Sequence, residues 1–151
     1  MTIYGYYHDV YIEQEFYTNN MPQIDQIANQ NNVVVYVTQA YRKDGVPPDG
    51  AIVPPSSTSN HLVGHAIDMN LDTPLGWCNG SCLNKAYFTD HNSNPYAYQF
   101  IKDIEATGMR WGGVFYPTDP VHIDDGLNLR DMNEWNQLFD EIQPKCNDLD
   151  V

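Results

Sequence analysis

Basic residues are scarce in this chain. Seven Lys and Arg stand against 20 Asp and Glu in 151 residues, a formal net charge of -13. Such a surface repels phosphate at long range, which excludes nucleic acid and anionic membranes as partners. Long apolar runs are missing as well. No stretch approaches the ~20 residues needed to cross a bilayer, so no membrane span is expected. The opening MTIYGYYHDVYIEQEF has neither a basic n-region nor an apolar h-region and does not read as a signal peptide. The chain is then cytosolic, leaves by another route, or has lost a leader. Cysteine is sparse and odd in number, three in all, which argues against a full disulfide framework. Cys78 and Cys82 sit in WCNGSC and fit either a local disulfide or two free thiols. A metal pair fits less well, because no second Cys/His pair at zinc-finger spacing accompanies it.

Apolar residues are nonetheless plentiful. At 42% hydrophobic and 18% charged, the chain can fill one core, and a single domain over residues 1–151 is expected. Residues 22–29 (PQIDQIAN) open on Pro and space Ile24, Ile27 and Ala28 as a helix does. The β-branched run 33–38 (VVVYVT) reads as a buried strand, and Pro/Gly-rich loops follow it. In HLVGHAIDMNL, Ala66, Asp68 and Asn70 alternate with His65, Ile67 and Met69, a strand with one polar face. Residues 95–107 predict a helix that opens on Pro95 and ends before Gly108. Residues 120–124 read as a short strand, and 129–142 as one amphipathic helix stopped by Pro144. Helices at both ends of a few strands point to an α+β fold, not a βαβ repeat.

The chemistry concentrates in two segments. One runs from Ser59 to Asp68 and holds His61; the other is Asp119-Pro120-Val121-His122-Ile123-Asp124. Together they offer two imidazoles and a carboxylate, His61, Asp68 and His122, the donor set of a catalytic zinc with one position open to water. Zinc so held lowers the pKa of its water from 15.7 toward ~7. A carboxylate that is not a ligand must then move the proton to the leaving amine, and Asp119 stands three residues before His122 for that role. Peptide hydrolysis also builds charge on the carbonyl oxygen. Arg42, just past the strand predicted at 33–38, is a cation that could stabilise it. His65 should face away from Asp68 and serve packing or the surface. His8 and His91 read as structural, and Asp124 and Asp125 as supporting or solvated.

The quoted segments carry a resemblance. S-x-H-x-x-G-x-A-x-D from Ser59 to Asp68, D-x-x-H-x-D over 119–124 and G-x-x-W-G-G over 108–113 resemble the zinc peptidases that include bacterial D-Ala-D-Ala carboxypeptidases, VanY- and VanX-like dipeptidases and phage L-Ala-D-Glu endopeptidases. The hedgehog signalling domain shares that fold. The likeness covers residues 33 to about 125, with residues 73–94 standing apart as a loop insert. It implies a hedgehog/DD-peptidase-like fold, a small antiparallel sheet with flanking helices. It also implies zinc on His61, Asp68 and His122, Asp119 as general base and Arg42 at the oxyanion. Ser59 would bind substrate or buttress the site. Two positions depart from the pattern: Ala40 replaces the common Gly before Tyr41-Arg42, and Asp119 is shorter than the Glu sometimes found there.

The substrate so implied is the peptide of peptidoglycan, cut by a monomer that acts in a secreted or periplasmic setting. The high acidity is unlike wall enzymes that hold anionic polymers. The alternative from another class is a non-catalytic zinc-binding module of hedgehog type, which needs neither Asp119 nor Arg42. A plain α+β domain with structural histidines is a third reading, and metal analysis discriminates it.

Overall fold

A computed structural model describes residues 3–5, 11–45 and 57–145. His8, Cys146 and most of the Pro-rich loop expected after Gly45 lie outside these residues. Among them the chain forms strands β1 (Ile3–Gly5), β2 (Val34–Gln39), β3 (Ala66–Thr73), β4 (Gly76–Cys78), β5 (Arg110–Trp111) and β6 (His122–Asp124). The α-helices are α1 (Gln14–Asn19), α2 (Met21–Gln30), α3 (Gly80–Phe88), α4 (Pro95–Ala106), α5 (Leu127–Arg130) and α6 (Met132–Lys145). Short 3-10 turns lie at Asn60–Val63, His91–Ser93 and Gly112–Val114. No described helix is long and apolar enough to cross a membrane.

One sheet organises these elements in the order β1-β2-β3-β6-β5, with β4 also paired to β3. The class is α+β, a small sheet with flanking helices. Every pair is antiparallel except β1 with β2, which run parallel. The small antiparallel sheet with flanking helices expected from the sequence is there; in the one parallel pair, helices α1 and α2 intervene and carry the chain back to the same end.

The alternation read in β3 holds. Ile67, Met69 and Leu71 point into the core with Val35 and Val37 of β2, under Ile24, Ile27, Phe100, Ile101 and Ile104 from the helices. The opposite face carries Asp68, Asn70 and Asp72, more open to solvent. Helix α4 forms where Pro95 sets the first turn and the Asn94 side chain caps Ala97 N–H at 3.1 Å.

Two further expectations change. Residues 73–94 are not a loop: they hold β4, α3 and a 3-10 turn. Asn79 caps α3 by accepting from Cys82 N–H, Leu83 and Ala86 bury at helical spacing, and Cys78 and Cys82 form a disulfide. The helix expected over 129–142 is two helices. Asp131 breaks the run because its carboxylate accepts from Glu134 N–H at 3.1 Å, the competition with helical backbone that makes Asp a cap. Leu129 therefore leaves the apolar stripe and is 74% exposed. Pro144 lies inside the last turn of α6 and not beyond it, since its fixed φ is helical and little ladder is left there to disrupt.

Candidate active site

Strand pairing brings the distant motifs together. In the β3–β6 ladder Asp68 lies directly opposite His122, so both side chains stand on the same face. His61 comes to the same point on the 3-10 turn that precedes β3. Ser59 caps this turn through its hydroxyl, which accepts from His61 N–H at 3.2 Å. A second apolar cluster, Leu62, Val63, Leu127 and Trp135, holds the turn from behind. Trp135 also donates its indole N–H to Ser59 O at 3.3 Å.

The turn before β6 is built by the G-x-x-W-G-G segment. Asp119 N–H donates to Gly112 O at 2.8 Å and Trp111 Nε1 donates to Pro120 O at 2.6 Å. A Cβ on Gly112 would come within 2.3 Å of Asp119 O and 2.8 Å of His122 Cβ. Only glycine lets these backbones approach so closely. His122 N–H then donates to Asp119 O at 3.1 Å, closing the tight turn expected from the D-x-x-H spacing.

His61, Asp68 and His122 form a group able to hold a metal ion. His61 Nε2 lies 3.0 Å from Asp68 Oδ1 and 3.1 Å from His122 Nδ1, and His122 Nδ1 lies 3.6 Å from Asp68 Oδ1. Bonds of ~2.0–2.1 Å in a tetrahedron set ligand atoms about 3.3 Å apart. The chemistry of the donors agrees with the spacing. His61 Nδ1 faces the carbonyl of Ala40, which can only accept, so that nitrogen carries the proton. His122 Nε2 donates to Asp124 Oδ2 at 2.6 Å, and Asp124 is itself gripped by Arg110 through two bonds of 2.9 Å. The remaining nitrogens, His61 Nε2 and His122 Nδ1, are therefore lone pairs when the rings are neutral. Two lone pairs at 3.1 Å repel unless positive charge sits between them. The residues fit a divalent cation.

With no ion bound, the surrounding carboxylates favour a proton on His122, a positive charge that a bound cation would displace. Burial of His122 opposes its charging, yet hydrogen bonds to Asp124 and Asp68 and their charges push its pKa up to about 9. Burial likewise opposes ionising Asp68, but the charge of His61 and hydrogen bonds from both histidines hold it well below the usual carboxylate range. Asp119 stands 4.0 Å from His122 Nδ1 and is 27% exposed, outside the group of three. Burial first, then the charge of Asp68, raises its pKa, against the opposing pull of His122, His61 and Arg42.

Arg42 follows β2 as expected, and its backbone N–H donates to His61 O at 2.9 Å. Its Nη2 lies 3.4 Å from Ser59 Oγ, while its buried Nε makes no hydrogen bond among the described residues. Burial lowers its pKa, and the charges of Asp68 and Asp119 work against that fall. The Ser59 hydroxyl is thus engaged inward on both sides.

Other histidines sit elsewhere. His91 stacks on Tyr98 with ring centroids 3.9 Å apart, and His65 is buried between Glu13 and Asp125. Sequence reasoning gave Asp124 and Arg110 no definite place, although the H-x-D spacing on a strand puts His122 and Asp124 on one face.

The family model for D-alanyl-D-alanine carboxypeptidase matches residues 54–125. No individual curated protein matches the chain. The matched stretch contains Ser59, His61, Asp68, Asp119 and His122, and it ends one residue past Asp124; Arg42 lies before it. Over residues 54–125, a little under half of the chain, the protein is thus similar to the D-alanyl-D-alanine carboxypeptidase family.

Proposed function

We propose that the chain is a single zinc peptidase domain that hydrolyses peptidoglycan stem peptides, removing a terminal D-Ala as the family description suggests. The observation that carries this reading is the meeting of two lone-pair nitrogens and Asp68 beside an unliganded Asp119. His61 Nε2, Asp68 and His122 Nδ1 would hold the metal. Zinc bound there supplies Lewis acidity that makes water nucleophilic at neutral pH. Asp119 accepts a proton from the attacking water and returns it to the departing amine, a task suited to a carboxylate with a raised pKa. Arg42 brings a half-desolvated cation with an unused Nε–H, and it stabilises the oxyanion that forms as the carbonyl is attacked. Ser59 supports Arg42 and caps the turn of His61. Asp124 and Arg110 fix the ring of His122 from behind.

The substrate lies outside the cytoplasmic membrane, so the enzyme acts in an extracellular or periplasmic space, where the Cys78–Cys82 bridge persists. Purified muropeptides digested with zinc-loaded protein and read by mass test the reading. Loss of one terminal alanine is expected. Splitting after the first L-Ala would reassign the enzyme as an endopeptidase, and no cleavage with zinc bound would leave a metal-binding module.

A further inference from the structure

The C-terminal helix reaches the site through one buried side chain. Gln143, on the last turn of α6, donates from Nε2 to Arg42 O at 3.0 Å and to Leu62 O at 2.7 Å. Its Oε1 accepts from Asp44 N–H at 3.0 Å, and its backbone carbonyl accepts from Lys43 Nζ. The amide thus uses both of its donors and one acceptor lone pair. All of its side-chain partners belong to two segments, 42–44 and the turn 60–63. Those segments carry Arg42 and His61, and the bond from Arg42 N–H to His61 O ties them to each other.

We infer that Gln143 is a positioning residue that sets the backbone of Arg42 and of the His61 turn, and so aims the guanidinium and the imidazole at the site. The physical case is that the Arg42 side chain has weak anchoring of its own. Its one described side-chain hydrogen bond is the long 3.4 Å contact to Ser59, and its Nε makes none. The placement of the guanidinium then depends on where its backbone is held. The bond to Leu62 O is buried and the bond to Arg42 O part-buried, so leaving either unmade costs free energy and the two carbonyls follow the amide. Arg42 and Gln143 lie outside residues 54–125 and Leu62 lies inside them, so the clamp ties the matched stretch to the rest of the chain. The inference rests on the roles proposed above for His61 and Arg42.

Gln143→Met keeps most of the volume and removes the side-chain bonds. Gln143→Glu keeps the acceptor and turns a carboxylate toward two carbonyls. Ile142→Ala, one residue away and buried, lowers the stability of the same turn without touching these bonds. The zinc dissociation constant, by competition with a chromophoric chelator, and kcat and KM on a stem peptide are measured where each variant remains folded by circular dichroism. Either Gln143 variant should weaken zinc binding or lower kcat by about 10–100-fold, with a smaller change in KM. Ile142→Ala should lower Tm and leave both quantities in place. Combined with Arg42→Ala, Gln143→Met should cost kcat little more than Arg42→Ala alone. A folded Gln143 variant with zinc affinity and kcat both intact would overturn the inference. So would equal losses in Ile142→Ala. If the parent protein cleaves no stem peptide, the proposed function fails, and the zinc measurement still decides the role of Gln143.

Discussion

Two histidine–carboxylate clusters stand on either side of one short motif, and they have opposite chemistry. His61 and His65 are four residues apart. At His61 each imidazole of the pair has one nitrogen tied down, by Ala40 O or Asp124, and the free nitrogens converge beside Asp68. At His65 both nitrogens are taken, Nε2 by Glu13 at 2.9 Å and Nδ1 by Asp125 at 2.7 Å. Both partners are carboxylates, which accept, so the pair of contacts favours the doubly protonated ring. Burial opposes that charge, but the hydrogen bond and charge of Asp125, then those of Glu13, keep the pKa above its ordinary value. Glu13, Glu15 and His65 are also close enough to be counted as a possible metal group. Proximity is the same in the two clusters. What differs is what the nitrogens face: only in the first cluster do two ring nitrogens turn toward each other beside a carboxylate.

Four experiments can break or sharpen that contrast. Replacing a ligand comes first. His61→Ala or His122→Ala should abolish stoichiometric zinc and turnover together, whereas His65→Ala should keep zinc at full occupancy; metal analysis of the three proteins checks this. Zinc lost from His65→Ala and retained by His61→Ala would reverse the assignment. Next is Asp119→Ala, which should lower kcat by about 10²–10⁴-fold while zinc remains bound. Turnover and metal content measured on the same sample decide it, and unchanged turnover would remove Asp119 from the mechanism.

Asp124→Asn should have a smaller effect, because it acts only by orienting His122. A loss of about 10–100-fold in zinc affinity or activity is expected from chelator competition and kinetics. The last contrast is in stability alone. A group with a raised folded-state pKa stabilises fully below its unfolded value and loses that contribution as pH rises through the folded value. Wild type should therefore exceed His65→Leu in stability most at pH 6 and by less at each step toward pH 9. Paired denaturant melts across that range give the difference, and a gap that widens with pH would show that the ring is buried neutral.

The His61 cluster was legible from sequence because its parts follow local rules. The alternation in β3 put Asp68 on the open face, and the D-x-x-H spacing placed Asp119 and His122 on one turn. Helices α2 and α4 were legible for a similar reason, each opening on a proline and burying residues at helical spacing. Residues 73–94 misled because the Gly, Asn and Ser of WCNGSC read as a turn. Asn79 turns out to start a helix, which needs only two inward side chains to dock. The break at Asp131 was hidden by an apolar stripe that continued on either side of it.

Residue types and spacing thus determined which residues could serve as ligands, where the long helices lie and which face of β3 is wet. These follow from backbone periodicity over a few residues. The tertiary structure decided which nitrogen each histidine presents, that both nitrogens of His65 face carboxylates, and which atoms Asp124 and Gln143 bond. Those outcomes depend on partners 61 residues away for His122 with His61 and 101 away for Gln143 with Arg42. No local pattern carries such pairings, because a hydrogen bond across the fold exists only after the sheet and α6 have packed.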